Sequence, residues 1–319
     1  MRRDLRVLVT GGSGFLGSAA VRALAEHPSV ALVVSGDVRE PASRDDLPAG
    51  AVFERVDVTD AAGTAEVVAR HRIDTVVHLA AIVNPGTVGE DVERRVDVDG
   101  TRNVLDAAVA GGVTRIVVSS SGAAYGYHAD SPEWLSEDDP IRGNEEFSYS
   151  RHKRLVEEML ASYRSSHPSL GQVVLRIGTI LGPTVRNQIT ALWDAPRLLV
   201  VRGSDSPFVF AWVDDVVGAI VAGATGDVTG AFNVAGDGKV TVPEIAARLG
   251  KKTLVVPAPL LAFGLRVGHA LRLTVHGPER VGFLRYRPVL SNERLKTVLG
   301  YVPGKTSREA FEAYLATRR

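Results

Sequence analysis

The 319-residue sequence predicts an α/β fold, a doubly wound parallel sheet followed by a smaller C-terminal lobe. Three observations carry this expectation. Short runs rich in valine, isoleucine and leucine alternate with longer runs of helical spacing through the first half, the rhythm of strand–helix–strand units. Those short runs are apolar at successive positions, as in strands buried between two helix layers. The first run ends in a glycine-rich turn that opens directly into a helical pattern.

In order, Leu5–Thr10, Ala31–Ser35, Ala51–Val56, Thr75–Leu79, Arg115–Ser119 and Gln172–Ile177 read as strands. Between them Phe15–Glu26, Thr59–His71, Gly89–Ala110 and Tyr149–His167 combine apolar stripes with charged faces, and read as helices. After Arg176 the rhythm changes to prolines, glycines and short strands. Helices are expected there at Val213–Ala224, Val242–Leu249, Pro257–Leu273, Ser291–Leu299 and Ser307–Thr317. The division this suggests is a dinucleotide-binding domain over residues 1–176 and a mainly substrate-binding lobe over 177–319. Residues from about 208 to 235 are expected to return to the core of the first domain.

Composition narrows the function. The formal net charge is zero, so no global electrostatic footprint for nucleic acid or an anionic membrane exists, though local basic patches are allowed. The chain has no cysteine, which excludes disulfides, thiolate metal sites and cysteine nucleophiles and fits a cytoplasmic protein. The eight histidines show no metal-ligand spacing; His152 is expected on the exposed side of its helix, and His276-Gly277-Pro278 reads as a turn. Met1–Arg6 leads into an apolar run too short for a signal peptide, and Pro257–Leu273, broken by Arg266 and His269, is too short to span a bilayer. The expected partner is therefore a small molecule, with neither nucleic acid nor membrane.

The turn Thr10-Gly11-Gly12-Ser13-Gly14-Phe15-Leu16-Gly17 follows the first strand. Glycine permits a tight turn at Gly11, close approach of a pyrophosphate at Gly14 and close helix–strand packing at Gly17. Unpaired amides at the helix start then face the phosphates. Asp37, closing the second strand about twenty residues on, offers a carboxylate to both ribose hydroxyls and repels a 2′-phosphate. NAD is thus favoured over NADP, although nearby Arg39 blurs the choice. Asp57-Val58, after the third strand, either flanks an adenine or caps the helix beginning near Thr59.

Tyr149-Ser150-Arg151-His152-Lys153 places a phenol and an ammonium four residues apart on one helical face. The ammonium attracts the negative charge that develops as the phenol passes a proton to or from a substrate oxygen. Strand Arg115–Ser119 runs into Ser119-Ser120-Ser121-Gly122-Ala123-Ala124-Tyr125-Gly126 at the carboxyl end of the sheet, where ligands bind in open α/β folds. A serine hydroxyl there can bond the same substrate oxygen, and three successive serines leave the choice open.

With these residues in place the chain resembles an extended short-chain dehydrogenase/reductase, of the NAD-dependent epimerase/dehydratase group. The resemblance runs through Thr10–Gly17, Val77-His78-Leu79-Ala80-Ala81, Gly100-Thr101-Arg102-Asn103, Ser119–Gly126, Tyr149–Lys153, Leu175–Pro183, Val213-Asp214-Asp215 and Phe232-Asn233-Val234. It implies a Rossmann fold, an NAD cofactor, a homodimer built from the helices near Gly89–Ala110 and Tyr149–His167, and Ser121, Tyr149 and Lys153 as the catalytic group. It further implies that Leu79, Ala80, Ala81 and Asn103 line or brace the cofactor site. Val83, Ser121, Gly122, Ala123, Thr179 and Phe208 are the substrate candidates.

Departures from the family pattern bear on the reaction. Gly122 and Ala123 stand where dehydratases of the family carry an Asp-Glu pair, which argues against dehydration. Thr179-Ile180-Leu181-Gly182-Pro183 replaces the Asn-Val-Tyr-Gly-Pro usual in sugar-nucleotide members. Phe208 falls where those members place a diphosphate-gripping arginine, leaving Arg186, Arg197 or Arg202 to act from another loop. Phe208, Phe210, Trp193, Trp212 and Leu260–Val267 either line an apolar pocket or pack the core, as do Trp134 and Tyr125. Three readings follow: a dehydrogenase or reductase of a secondary alcohol or ketone, a nucleotide-sugar epimerase retaining NAD, and a non-catalytic dinucleotide sensor. The tyrosine–lysine pair counts against the third.

Overall fold

The computed structural model describes residues 3–41, 43, 47–83, 88–271, 277 and 280–318. A seven-stranded sheet forms its centre, built from β1 (Leu5–Thr10), β2 (Val30–Asp37), β3 (Ala51–Arg55), β4 (Thr75–His78), β5 (Arg115–Ser121) and β6 (Gly171–Ile177). Three short strands follow: β7 (Thr179–Leu181), β8 (Arg197–Val201) and β9 (Phe210–Trp212). The seventh sheet strand is β10 (Gly230–Val234), and β11 (Lys252–Val256) closes the series. The sheet order is β10-β6-β5-β4-β1-β2-β3, and each adjacent pair is parallel.

Alternation along each strand divides the core. Leu8, Val34, Val76, Ile116 and Val174 face one layer, made of α2 (Ala61–Arg70), α4 (Gly100–Ala110) and α5 (Ser148–Ser166). Val7, Val9, Val33, Val77, Val117 and Val173 face the other, made mainly of α1 (Phe15–Ala25) and α7 (Val213–Thr225). Adding a side chain at Gly17 would place its Cβ 1.9 Å from Gly11 O, so only glycine lets α1 pack this closely on the turn before it.

The run expected as one helix over Gly89–Ala110 is a short α3 (Glu90–Arg94), a π-helical turn (Arg95–Asp99) and α4. That wide turn directs Asp97 inward, where it accepts from Ile82 N at 2.8 Å. The expected helix over Thr59–His71 starts later, because Asp60 accepts from Gly63 N and caps α2. Asp57 instead accepts from Thr59 N and Oγ1 at 2.9 and 2.7 Å, a local turn outside the helix.

After β6 the chain makes two small parallel sheets, β7–β9 and β8–β11. A single turn, α6 (Gln188–Ala191), precedes β8, and α8 (Val242–Arg248) packs behind it. The later helices are α9 (Ala258–Ala270), α10 (Arg280–Arg285), α11 (Glu293–Thr297) and α12 (Ser307–Ala316). Leu273, His276 and Pro278, named in the sequence expectations, lie outside the described residues. Asp215 on α7 ties the C-terminal segment down, accepting from Gly304 N at 2.6 Å and Lys305 N at 3.3 Å. Trp193, Phe208, Phe210, Phe311 and Tyr314 pack edge to face or stacked into one aromatic core. Phe210 and Trp193 are therefore core residues, and Phe208 is almost wholly buried as well.

Candidate active site

The order of the sheet reverses between β1 and β4, and a cleft of about 560 Å³ opens at the carboxyl ends of these strands, where crevices form in doubly wound sheets. Gly11, Gly14, Phe15, Leu16 and Gly17 line one end of it. No side chain caps α1 at Gly14, which leaves the amides of its first turn for an external anion. A Cβ at Gly11 would meet Ala80 N at 2.8 Å, so the turn lies against the chain leaving β4.

Asp37, buried at the end of β2, accepts from Ser13 N at 3.1 Å and from Arg39 N at 3.0 Å. One oxygen is used by each amide, and each keeps a lone pair for a diol. The Arg39 side chain is largely exposed, with Nε 3.9 Å from the carboxylate. Asn103 on α4 donates to Val58 O at 2.9 Å, bracing the loop after β3. Arg39, Leu79, Ala81 and an exposed Val83 line the cleft, whereas Ser13, Asp37, Asp57, Val58, Ala80 and Asn103 are not among its lining residues.

All three serines border the cleft, and they differ in their partners. Ser119 Oγ donates to His78 O at 3.2 Å, and Ser120 Oγ to buried Glu157 at 2.5 Å. Ser121 Oγ accepts from Ala123 N at 3.2 Å and borders the cleft beside Gly122 and Ala123. From α5, Tyr149 and Lys153 enter the same cleft, with Lys153 Nζ 5.6 Å from the phenol ring centre. Ser119 O holds that ammonium at 3.1 Å, fixing the lysine against the strand end. Thr179 and Phe208 complete the wall from the small lobe.

A profile of the NAD dependent epimerase/dehydratase family matches residues 7–235. The chain belongs to this family. An uncharacterized protein of Mycobacterium tuberculosis is 28% identical over 320 residues, 98% of this chain and 84% of that protein. UDP-glucose 4-epimerase 2 of Oryza sativa is 33% identical over 183 residues, 53% of this chain and 43% of that protein. Among solved structures, Thermus thermophilus UDP-glucose 4-epimerase with NAD is 25% identical. It aligns over 98% of this chain and 99% of that one, with a TM-score of 0.73.

Several residues that sequence reasoning passed over shape this family member's cleft. Arg287, after α10, lines the cleft with its guanidinium 4.0 Å above the Phe208 ring and 5.3 Å from Phe283. Its Nη1 donates to Ser206 O at 2.6 Å, and burial lowers its pKa to about 10. A cation therefore does stand over Phe208, but it comes from about eighty residues further along the chain. Of the arginines expected to substitute, Arg186 lines the cleft, whereas Arg197 and Arg202 do not. Tyr127, Phe147 and Phe283 form an aromatic cluster with centroids 5.2–6.0 Å apart, and Phe147 lies 6.3 Å from Tyr149. Only the run Arg285-Tyr286-Arg287-Pro288 carries a sequence signal for this wall.

Behind the cleft lies a buried polar chain. Burial lowers His78 to about 4, Lys153 adds to that effect and Asp97 opposes it, so the ring is neutral at neutral pH. Thr101 Oγ1 donates to Asp97 O at 2.6 Å and so accepts from His78 Nε2 at 3.0 Å. His78 Nδ1 is then the acceptor, taking the Thr10 hydroxyl at 2.7 Å. This chain locks the end of β1 to β4 and α4. His152 corrects the sequence expectation: it is buried, not exposed, with Nδ1 3.8 Å from Asp97. The face of α5 that carries Lys153 also packs on the π-helical turn, so it draws His152 inward.

Tyr125 and Trp134 take structural positions. The Tyr125 hydroxyl is 2.8 Å from Ser136 O and 2.9 Å from Asn233 Oδ1, and burial pushes its pKa up to about 12. Trp134 is exposed and carries Lys239 Nζ at 5.5 Å from its ring.

Proposed function

We propose that the protein is an NAD-dependent oxidoreductase that interconverts a secondary alcohol and a ketone. One observation carries this reading: a glycine turn at an uncapped helix start, whose Ser13 amide donates to the buried Asp37 carboxylate, and a tyrosine–lysine pair border one cleft. The residues fit the cofactor, since the helix start at Gly14 has no side-chain cap and a Cβ there would meet only Gly11 O, at 3.1 Å. Gly11, Ser13, Gly14, Phe15, Leu16 and Gly17 hold the pyrophosphate, and Asp37 with Arg39 beside it takes the adenosine ribose. Asp57 and Val58 flank the adenine. Leu79, Ala80 and Ala81 face the nicotinamide half, and Asn103 braces the loop from behind.

Bound NAD would supply the hydride chemistry, as acceptor in oxidation and, once reduced, as donor in reduction. In oxidation Tyr149 Oη receives the hydroxyl proton; in reduction it returns that proton to the carbonyl oxygen. Ser121 Oγ donates to the same oxygen, and Lys153, anchored on Ser119 O, holds the nicotinamide ribose and stabilises the phenolate. The lobe after Ile177, with Thr179, Phe208, Val83, Gly122 and Ala123, encloses the substrate. The homodimer expected from the family resemblance belongs to the same proposal.

Arg287 favours a second reading, a nucleotide-sugar epimerase that retains NAD. A guanidinium desolvated on the cleft wall, with Arg186 on the same wall, suits an anionic substrate such as a nucleoside diphosphate. Denaturing the purified protein and identifying the released nucleotide tests both readings. Stoichiometric NAD supports the epimerase cycle, which returns the cofactor to its starting state. An empty protein that binds NAD reversibly and changes reduced-nicotinamide absorbance with secondary alcohols supports the oxidoreductase. A protein that neither carries nor binds NAD overturns both.

Asp37→Ala is expected to weaken NAD by about tenfold or more while NADP changes little, since two charge-assisted bonds are lost only for the diol. Titration with both nucleotides checks this. Equal losses would remove Asp37 from the ribose site.

A further inference from the structure

We propose that α9 is a membrane-surface helix, docking this protein on the anionic headgroups of a lipid bilayer. The first observation is its orientation. None of its thirteen residues is buried, and at 100° per residue Leu260, Phe263, Val267 and the following Leu271 fall on one stripe. That stripe faces away from the protein: the four side chains are 60, 63, 40 and 63% exposed. The opposite side, Ala258, Leu261, Ala262, Leu265 and Gly268, is the half-buried one that rests on the fold. A surface helix of a water-soluble protein ordinarily shows the reverse pattern, polar outside and apolar inside.

The second observation is charge. From Ile245 to Pro278 the sequence contains no aspartate or glutamate but carries Lys252, Arg266 and Arg272 beside Arg248, which pairs with Glu312, and Lys251, which donates to Trp193 O and Ala195 O, although the whole chain is neutral. Arg266 on α9 is exposed and lies to one side of the stripe, where a long side chain can extend its head toward phosphates, whereas His269 falls on the opposite side. At the start of α9, Arg202 and Arg285 border a shallow hollow with Pro257, Pro259 and Ala262. Arg285 Nε is buried there without a hydrogen-bond partner among the described residues.

An apolar stripe edged by cations is the pattern of a helix lying in the headgroup plane. The helix is too short to cross a bilayer, and no helix among the described residues can do so. Pairing α9 with α9 of a second copy would bring Arg266 toward its own copy with no acid on the helix to offset it, which disfavours a dimer through this face.

The test uses the intact protein and vesicles of equal parts phosphatidylcholine and phosphatidylglycerol, with pure phosphatidylcholine vesicles alongside. Co-sedimentation is expected with the anionic vesicles, weakened by salt, and on the order of tenfold weaker for Leu260→Glu combined with Phe263→Glu. Both side chains are exposed, so NAD binding and the melting temperature should not move. Phe263→Trp supplies a second readout, a blue-shifted emission on vesicle binding. Absence of sedimentation, or sedimentation indifferent to the double substitution, overturns the proposal. So does a concentration-dependent dimer or a protein complex lost with Phe263→Glu when vesicles are ignored.

Discussion

Replacing Tyr149 by phenylalanine is expected to lower turnover by roughly 10²–10⁴-fold while leaving NAD affinity within a few fold. The substitution removes one oxygen and keeps the ring, so its packing 6.3 Å from Phe147 survives. What is lost is the phenol oxygen, which the proposed mechanism makes the carrier of the substrate's proton. Lys153 stays in place because Ser119 O, not the phenol, fixes its ammonium at 3.1 Å. Turnover of the alcohol or ketone found by screening, beside NAD titration of the same variant, makes the measurement. A variant with more than about a tenth of the activity would exclude Tyr149 as the proton carrier. Parallel loss of NAD affinity would make it a binding residue instead.

Arg176→Met is expected to cost about 3–5 kcal/mol, the range for removing one partner of a buried ion pair. Arg176 donates to Glu157 from Nε at 3.0 and 3.1 Å and from Nη2 at 2.8 Å, and from Nη1 to Tyr125 Oη at 2.8 Å. Burial opposes its charge, yet Glu157 and Tyr125 together hold its pKa above the ordinary arginine value. Without it, Glu157 keeps, among the described residues, only the Ser120 hydroxyl in a buried setting. Thermal unfolding should shift down on the order of 5–10 °C. Replacing Glu157 by leucine in the same chain should recover most of that loss, because both desolvated charges then disappear. A single-variant shift below about 2 °C would mean that the pair contributes little to the fold.

The layered sheet was legible because buried parallel strands need apolar residues on both faces, which Leu5–Thr10 and Thr75–His78 display in the sequence itself. Strand ends were less so. β2 runs from Val30 to Asp37, longer than its β-branched run, because pairing with β1 and β3 continues through Ser35, Gly36 and Asp37. The glycine turn and the tyrosine–lysine pair were legible because each depends on fixed short spacings, which a chain carries locally.

By itself the sequence determined the fold class and the family. Only the tertiary structure shows what Ser119, Ser120 and Ser121 each meet, His78 O, Glu157 and Ala123 N in turn, since partners across the sheet are not written in local spacing. The same holds for His152, drawn inward by the π-helical turn, and for Asp60 rather than Asp57 as the cap of α2. Arg287 reaches Phe208 across about eighty residues of chain, and the stripe on α9 faces solvent because its opposite face is the one that meets the fold. Helical periodicity shows that a face is apolar; only packing decides which face the molecule covers.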